Sequence, residues 1–97
     1  MTATGTSVTL SSVLVRSDEA LHQEVGGESV LLDLASEQYF GLDPVGSRIW
    51  NLIDGKASLD DIHGTLCAEY DAEPDRIRGD LLALARTLRD AGLVSAL

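Results

Sequence analysis

Apolar and polar residues alternate in two different ways along this chain, and the change comes at Pro44. Before it, apolar positions fall in short runs: Val8 to Val15 with Ser and Thr interleaved, Ala20-Leu21-His22-Gln23-Glu24-Val25, Ser29-Val30-Leu31-Leu32-Asp33-Leu34, and Gln38-Tyr39-Phe40-Gly41-Leu42. Gly26-Gly27 and Ala35-Ser36-Glu37 separate the last three runs. Runs of this length between such turns predict a meander of about three antiparallel strands, preceded by a weakly paired lead-in.

After Pro44 the period becomes helical. Asp43 is placed to cap the first helix and Pro44 to open it without leaving an N–H unsatisfied. Val45, Ile49 and Ile53 follow at i, i+4 and i+8, with Trp50 and Leu52 widening the buried face, and Gly55 ends the helix. Ser58-Leu59-Asp60-Asp61 resembles a capping box with Asp replacing Glu, and Leu59, Ile62 and Leu66 carry a second helix towards Tyr70. Pro74 opens a third, in which Ile77, Leu81, Leu84 and Leu88 form the core stripe; Gly92 ends it and Leu93 folds back as in a Schellman cap. The expectation is an α+β domain, winged helix-turn-helix-like, with a three-stranded antiparallel sheet followed by three helices. Residues 1–7 are expected to be a flexible N-terminus, and 8–97 a single domain.

Composition narrows this in three ways. With 44% hydrophobic residues in 97, the chain can bury a modest core, and three of its four aromatics (Tyr39, Phe40, Trp50) lie around the change of pattern. The net charge of −9 is uneven: residues 1–75 hold 14 acids and 3 bases, whereas residues 76–97 hold 2 acids and 4 bases. That balance argues against a duplex-binding role, since phosphate neutralisation needs clustered Lys and Arg. The lone Cys67 excludes an intramolecular disulfide and agrees with a reducing compartment. Neither a membrane-length apolar run nor a signal-peptide pattern occurs, so a cytoplasmic protein with no membrane partner is expected.

Catalysis has little to work with. His22 and His63 sit in different elements, Cys67 reads as a small apolar residue, and Asp60-Asp61 reads as helix-start electrostatics. Gly26-Gly27 lacks the Lys-Ser/Thr of a phosphate loop. The chain is expected to be a non-enzyme without metal or cofactor. Binding has more: the strand Gln38–Leu42 is expected at a sheet edge, where unpaired N–H and C=O groups can accept a peptide strand. Phe40 and Leu42 turn inward, Tyr39 outward, and Gly41 leaves room for a second backbone. On the third helix Arg78, Leu82, Arg86 and Arg89 form a second stripe, with Ala85 between it and the core stripe, suited to a peptide bearing apolar anchors and carboxylates.

Several spaced blocks carry a resemblance: Val30-Leu31-Leu32-Asp33-Leu34, Tyr39-Phe40-Gly41-Leu42-Asp43-Pro44-Val45-Gly46, Ile49-Trp50, Asp54-Gly55, Asp80-Leu81-Leu82 and Leu88-Arg89-Asp90-Ala91-Gly92-Leu93. Over about residues 20–94 the chain resembles the PqqD-like recognition elements of ribosomally made, modified peptides. The aromatic-Gly-Leu-Asp-Pro run and the Ile-Trp pair point to stand-alone members of lasso-peptide pathways. The proteins of pyrroloquinoline quinone synthesis usually have Asn in place of Asp43 and lack the Trp. The resemblance implies a non-catalytic chaperone that takes the precursor's leader peptide as an added strand and hands it to a separate cysteine-type leader peptidase. Carried onto this sequence, it implies binding by Gln38, Tyr39, Phe40, Gly41 and Leu42, with Arg78, Leu82 and Ala85 facing them; Arg86 is added from the arginine stripe. The competing expectation is a winged-helix DNA-binding regulator. The only mildly basic third helix and the acidic wing (Glu24, Glu28, Asp33, Glu37) weigh against it.

Overall fold

Asp43 is where sheet gives way to helix. In the computed structural model, which describes residues 8–97 apart from Gly27, its carboxylate accepts the Gly46 N–H at 2.6 Å and so caps α1, Pro44–Leu52. The joint is tight: a Cβ on Gly46 would lie 3.1 Å from that carboxylate and 3.3 Å from the Leu42 side chain. Ile49 and Trp50 are buried on α1 and Ile53 just beyond it; the helix stops at Leu52, where Ile53 turns extended (φ −77°, ψ 104°), and not at Gly55, the expected stop, which takes its φ of 80° in the turn that follows.

Upstream lie β1 (Leu14–Arg16), β2 (Ala20–Val25), β3 (Glu28–Asp33) and β4 (Gln38–Leu42). The last three form the expected antiparallel meander, in the order β2-β3-β4. Val25 pairs with Glu28 across the first turn and Asp33 with Gln38 across the second. Asp33 holds that second turn closed. Its carboxylate accepts the Ala35 N–H and the Ser36 hydroxyl, its carbonyl accepts the Glu37 N–H, and Glu37 adopts φ 60°.

Downstream, α2 (Leu59–Glu69) starts with the full capping box: Ser58 accepts the Asp61 N–H, and Asp61 accepts the Ser58 N–H. In α3 (Pro74–Asp90) the Leu93 N–H reaches the Leu88 carbonyl and the Gly92 N–H the Arg89 carbonyl, the two bonds of a Schellman cap. The buried residues of α3 are Ile77, Leu81, Ala85 and Leu88, so Ala85 takes the core position expected of Leu84, which is half-buried.

Two features depart from expectation. The chain does not stop at the Schellman turn: Val94–Ala96 forms β5, which pairs antiparallel with β1. Among the described residues the architecture is thus α+β with three helices and two antiparallel sheets, of two and three strands, in place of one three-stranded sheet. The second departure is that the lead-in is a structural element. Val8 is fully buried, and the Leu59 and Asp60 N–H groups bond to the Ser12 and Leu10 carbonyls, lacing this segment onto the start of α2. Residues 1–7, expected to be flexible, lie outside the described part.

Candidate functional site

Which backbone groups of β4 are free follows from two hydrogen bonds. Leu34 donates its N–H to the Glu19 carbonyl at 2.8 Å, on the β2 side, while the Asp33 carbonyl accepts from Glu37 on the β4 side. Successive residues of an antiparallel strand point their polar groups to alternate neighbours. Ser29, Leu31 and Asp33 therefore face β4 and bond to Leu42, Phe40 and Gln38 in the observed register. The N–H and C=O groups of Tyr39 and Gly41 are left pointing outward, and among the described residues β4 has no strand on that side. Side chains alternate in step. Phe40 and Leu42 are half-buried towards the helices, whereas Gln38, Tyr39 and Gly41 are exposed.

Beside this edge runs an open cleft of about 520 Å³. Gly41, Leu42 and Asp43 form one wall, Val45, Gly46 and Ile49 of α1 the floor, and Arg76, Asp80, Ala83 and Leu84 of α3 the other wall. It adjoins a smaller, mainly apolar pocket of about 210 Å³, where Val45, Ile49, Arg76 and Asp80 are joined by Leu66, Tyr70, Ala72 and Ile77. The cleft thus offers a strand edge and an apolar floor, with Arg76 and the carboxylates of Asp43 and Asp80 on its walls. Arg76 is in no ion pair among the described residues.

The helix wall is not the one expected. Arg78, Leu82, Ala85 and Arg86 line neither the cleft nor the adjoining pocket. Ala85 is buried in the core; Arg78 is paired with Asp75 at 2.8 Å on the exposed side. Leu82 is half-buried against the core, and Arg86 donates to the Val8 carbonyl at 3.3 Å. The reason is geometric: two residues along a helix turn it by about 200°, so Leu82 and Asp80 stand on nearly opposite flanks. Asp80 belongs to a block that carries the family resemblance; the signal that would have added Ala83 was Ala85's place in the core, and a small residue between leucines does not announce that from sequence.

Two ionic features hold the floor. Arg48 of α1 makes a two-pronged contact with Glu69 of α2, at 2.9 and 2.6 Å, and is itself held above its ordinary value by the same contact. These bonds from Arg48 hold the Glu69 carboxyl below its usual range. Asp54, after α1, is held low by the N–H groups of Ala57 and Lys56. Cys67 lies 3.5 Å from the His63 ring, which bonds to the Pro74 carbonyl; both are away from the cleft. Among the described residues no group of three or more His, Cys, Asp or Glu is placed to hold a metal ion, and no helix is long and apolar enough to cross a membrane.

Comparison with known proteins gives a family and two solved structures of like fold. The family model described as "Coenzyme PQQ synthesis protein D (PqqD)" matches residues 28–94. Among solved structures, "TbiB1 in Complex with the TbiA(beta) Leader Peptide" is 37% identical with a TM-score of 0.72, covering 81% of this chain and 92% of that one. "Lasso peptide synthetase B1 complexed with the leader peptide" is 24% identical with a TM-score of 0.74, covering 84% of this chain and 96% of that one, a likeness of fold alone. No curated protein matches.

Proposed function

Because the chain belongs to the PqqD family and is a PqqD-like recognition element, we propose that it binds the leader segment of a ribosomally made precursor peptide, in a pathway of lasso-peptide type. The leader adds as a strand to β4, in the cleft between that edge and α3. The observation that carries this reading is the pair of outward-pointing peptide groups at Tyr39 and Gly41, beside a ready-made apolar floor. A 37% identical protein solved with a leader peptide supports it.

Main-chain pairing with Tyr39 and Gly41 sets register and orientation, while alternate side chains of the incoming strand point into the cleft. One apolar side chain fills the pocket between Val45, Ile49, Leu66 and Tyr70, and Arg76 and Asp80 select charges of opposite sign at its mouth. Gln38, Phe40 and Leu42 act from within β4, bonding to β3 and holding the edge straight. On this reading the sheet and helices are a winged-helix-type scaffold put to peptide recognition. The domain carries out no chemistry itself, and a separate cysteine-type leader peptidase receives the bound leader.

Titration calorimetry with the synthetic leader tests the site. Gly41→Pro removes one outward N–H that β3 does not use, and it is expected to weaken binding at least tenfold while the protein stays folded. Unchanged affinity in a folded Gly41→Pro protein would overturn strand addition at β4.

A further inference from the structure

The cleft beside β4 does not end with the strand. Gly41, Leu42 and Asp43, which form one of its walls, also line a second cavity of about 550 Å³, between the tip of the β2-β3 hairpin and the first turn of α1. Glu24 and Glu28 stand on the hairpin side, Asp43, Pro44 and Ser47 on the helix side. All three acids are exposed, and none is in an ion pair among the described residues. No base lies near along the chain: from Ser17 to Ser47 there are seven acids and not one Lys or Arg, and Arg48 is committed to Glu69. The start of a helix ordinarily draws an anion, but here its donors are already used. Pro44 has no N–H, the Gly46 N–H goes to the Asp43 carboxylate, and the Ser47 N–H goes to the Asp43 carbonyl at 2.9 Å. A hydroxyl is left over. The Ser47 oxygen is buried in the wall of this cavity, with no hydrogen-bond partner among the described residues. Buried polar groups are ordinarily satisfied, so an orphan beside three carboxylates marks the place of a missing donor.

We propose that this cavity takes a Lys or Arg side chain of the leader, from the segment that runs on past the strand paired with β4. The proposal rests on the reading that the leader adds to β4, and it gives that leader a required chemistry: a basic residue just beyond the paired strand. An added strand lies about 5 Å from β4. A Lys or Arg stem reaches from there over the Asp43 corner, its apolar part crossing Leu42. The ammonium or guanidinium then sits among Glu24, Glu28 and Asp43 and supplies the N–H that the Ser47 hydroxyl lacks. Main-chain pairing at Tyr39 and Gly41 is open to any sequence, and backbone bonds alone let a strand slip by two residues. This site is met only when a base arrives at one distance from the paired strand, so it fixes the register of the leader.

The test is a double-mutant cycle built on Glu24→Gln combined with Glu28→Gln, changes that keep side-chain shape at exposed positions. The probes are the synthetic leader of the precursor encoded with this protein, and the same peptide with its Lys and Arg residues replaced by Gln one at a time. In titration calorimetry at low salt the Gln protein is expected to bind the unmodified leader about fivefold more weakly than the parent, and raised salt to shrink the difference. One of the peptide replacements is expected to weaken binding to the parent by the same factor, and to weaken the Gln protein's binding no further. Unchanged affinity in the Gln protein would overturn the proposal, as would two losses that multiply, which would put the basic residue elsewhere. So would a leader that binds the parent with no Lys or Arg in it. Gly41→Pro separates this site from the reading beneath it. A leader weakened by Gly41→Pro but not by the Gln changes leaves strand addition standing and removes only the acidic cavity; one indifferent to Gly41→Pro removes strand addition itself. Should the double variant prove unfolded by circular dichroism, Glu28→Gln alone carries the same expectations, with a loss of about twofold.

Discussion

The two flanks of α3 look alike in sequence and have opposite fates in the fold. One carries Leu82 and Arg86, the other Leu84 and Arg76: an apolar residue and an arginine on each. On the first flank Arg86 is bonded to the Val8 carbonyl of the chain's own lead-in and Leu82 is packed against the core. The second faces β4 across an open cleft, and its Arg76 has no carboxylate partner among the described residues. An amphipathic helix therefore announces which residues have partners of some kind, but not whether the partner is part of the same molecule. The flank that read as the richer binding surface is the one the protein has already satisfied internally.

The largest effect should come from a residue on which both flanks depend. Trp50 is fully buried on α1, with the Arg16 guanidinium 5.6 Å from its ring. Trp50→Ala is expected to cost about 3–5 kcal/mol in urea unfolding and to damage both flanks together. Next comes Val8→Ala, which empties part of the covered flank. It should cost about 2 kcal/mol, with leader affinity of the folded protein unchanged within twofold. A Val8 variant that lost binding in proportion to stability would break the distinction between the flanks.

The sharpest contrast is between Ala83→Glu and Leu82→Glu, neighbours in sequence on different flanks. Ala83 is exposed in the cleft wall, so its Glu should leave unfolding unchanged and weaken leader binding about tenfold, worth ~1.4 kcal/mol. Leu82→Glu should do the reverse, lowering stability by about 1–3 kcal/mol while the folded fraction binds normally. An outcome with the two exchanged would restore the arginine stripe as the binding face.

The smallest effect concerns acid. Glu69 and Asp54 are held below their ordinary values in the folded state, through Arg48 and through the backbone N–H groups of Ala57 and Lys56 respectively. A depressed folded value means stability that is present at neutral pH and lost as pH falls through that value. The α1–α2 floor of the cleft should therefore loosen below about pH 4, while the lead-in, held by backbone bonds and Val8, keeps its place. Melting curves from pH 7 to 3 for the parent and for Glu69→Gln check this: the variant should show the shallower decline. Both groups are solvent-accessible, so the difference should be small and shrink in salt.

Much of the fold was written locally. The Asp43-Pro44 helix start, the Ser58/Asp61 capping box and the Gly92-Leu93 Schellman turn each depend on contacts within a few residues, and each appears as the sequence implies. The meander was equally legible, because its turns are short and its register follows from them. The edge position of β4 followed from chain order, since a three-strand meander leaves its last strand outside.

What the sequence could not settle were partnerships between distant segments. The pairing of β5 with β1 joins residues about eighty apart, and three-residue strands such as Leu14–Arg16 and Val94–Ala96 have too few positions to show a period. Ala85, not Leu84, is fully buried in the core, and the volume available in a packed interior has no signature in a single helix. The same packing turns Asp80 and Ala83 towards β4 and Arg86 towards Val8. Local sequence determined the three helices, their starts and the β2-β3-β4 meander. Only tertiary contact decided how α3 is rotated about its own axis, because that rotation is fixed by the sum of all the surfaces packed against it.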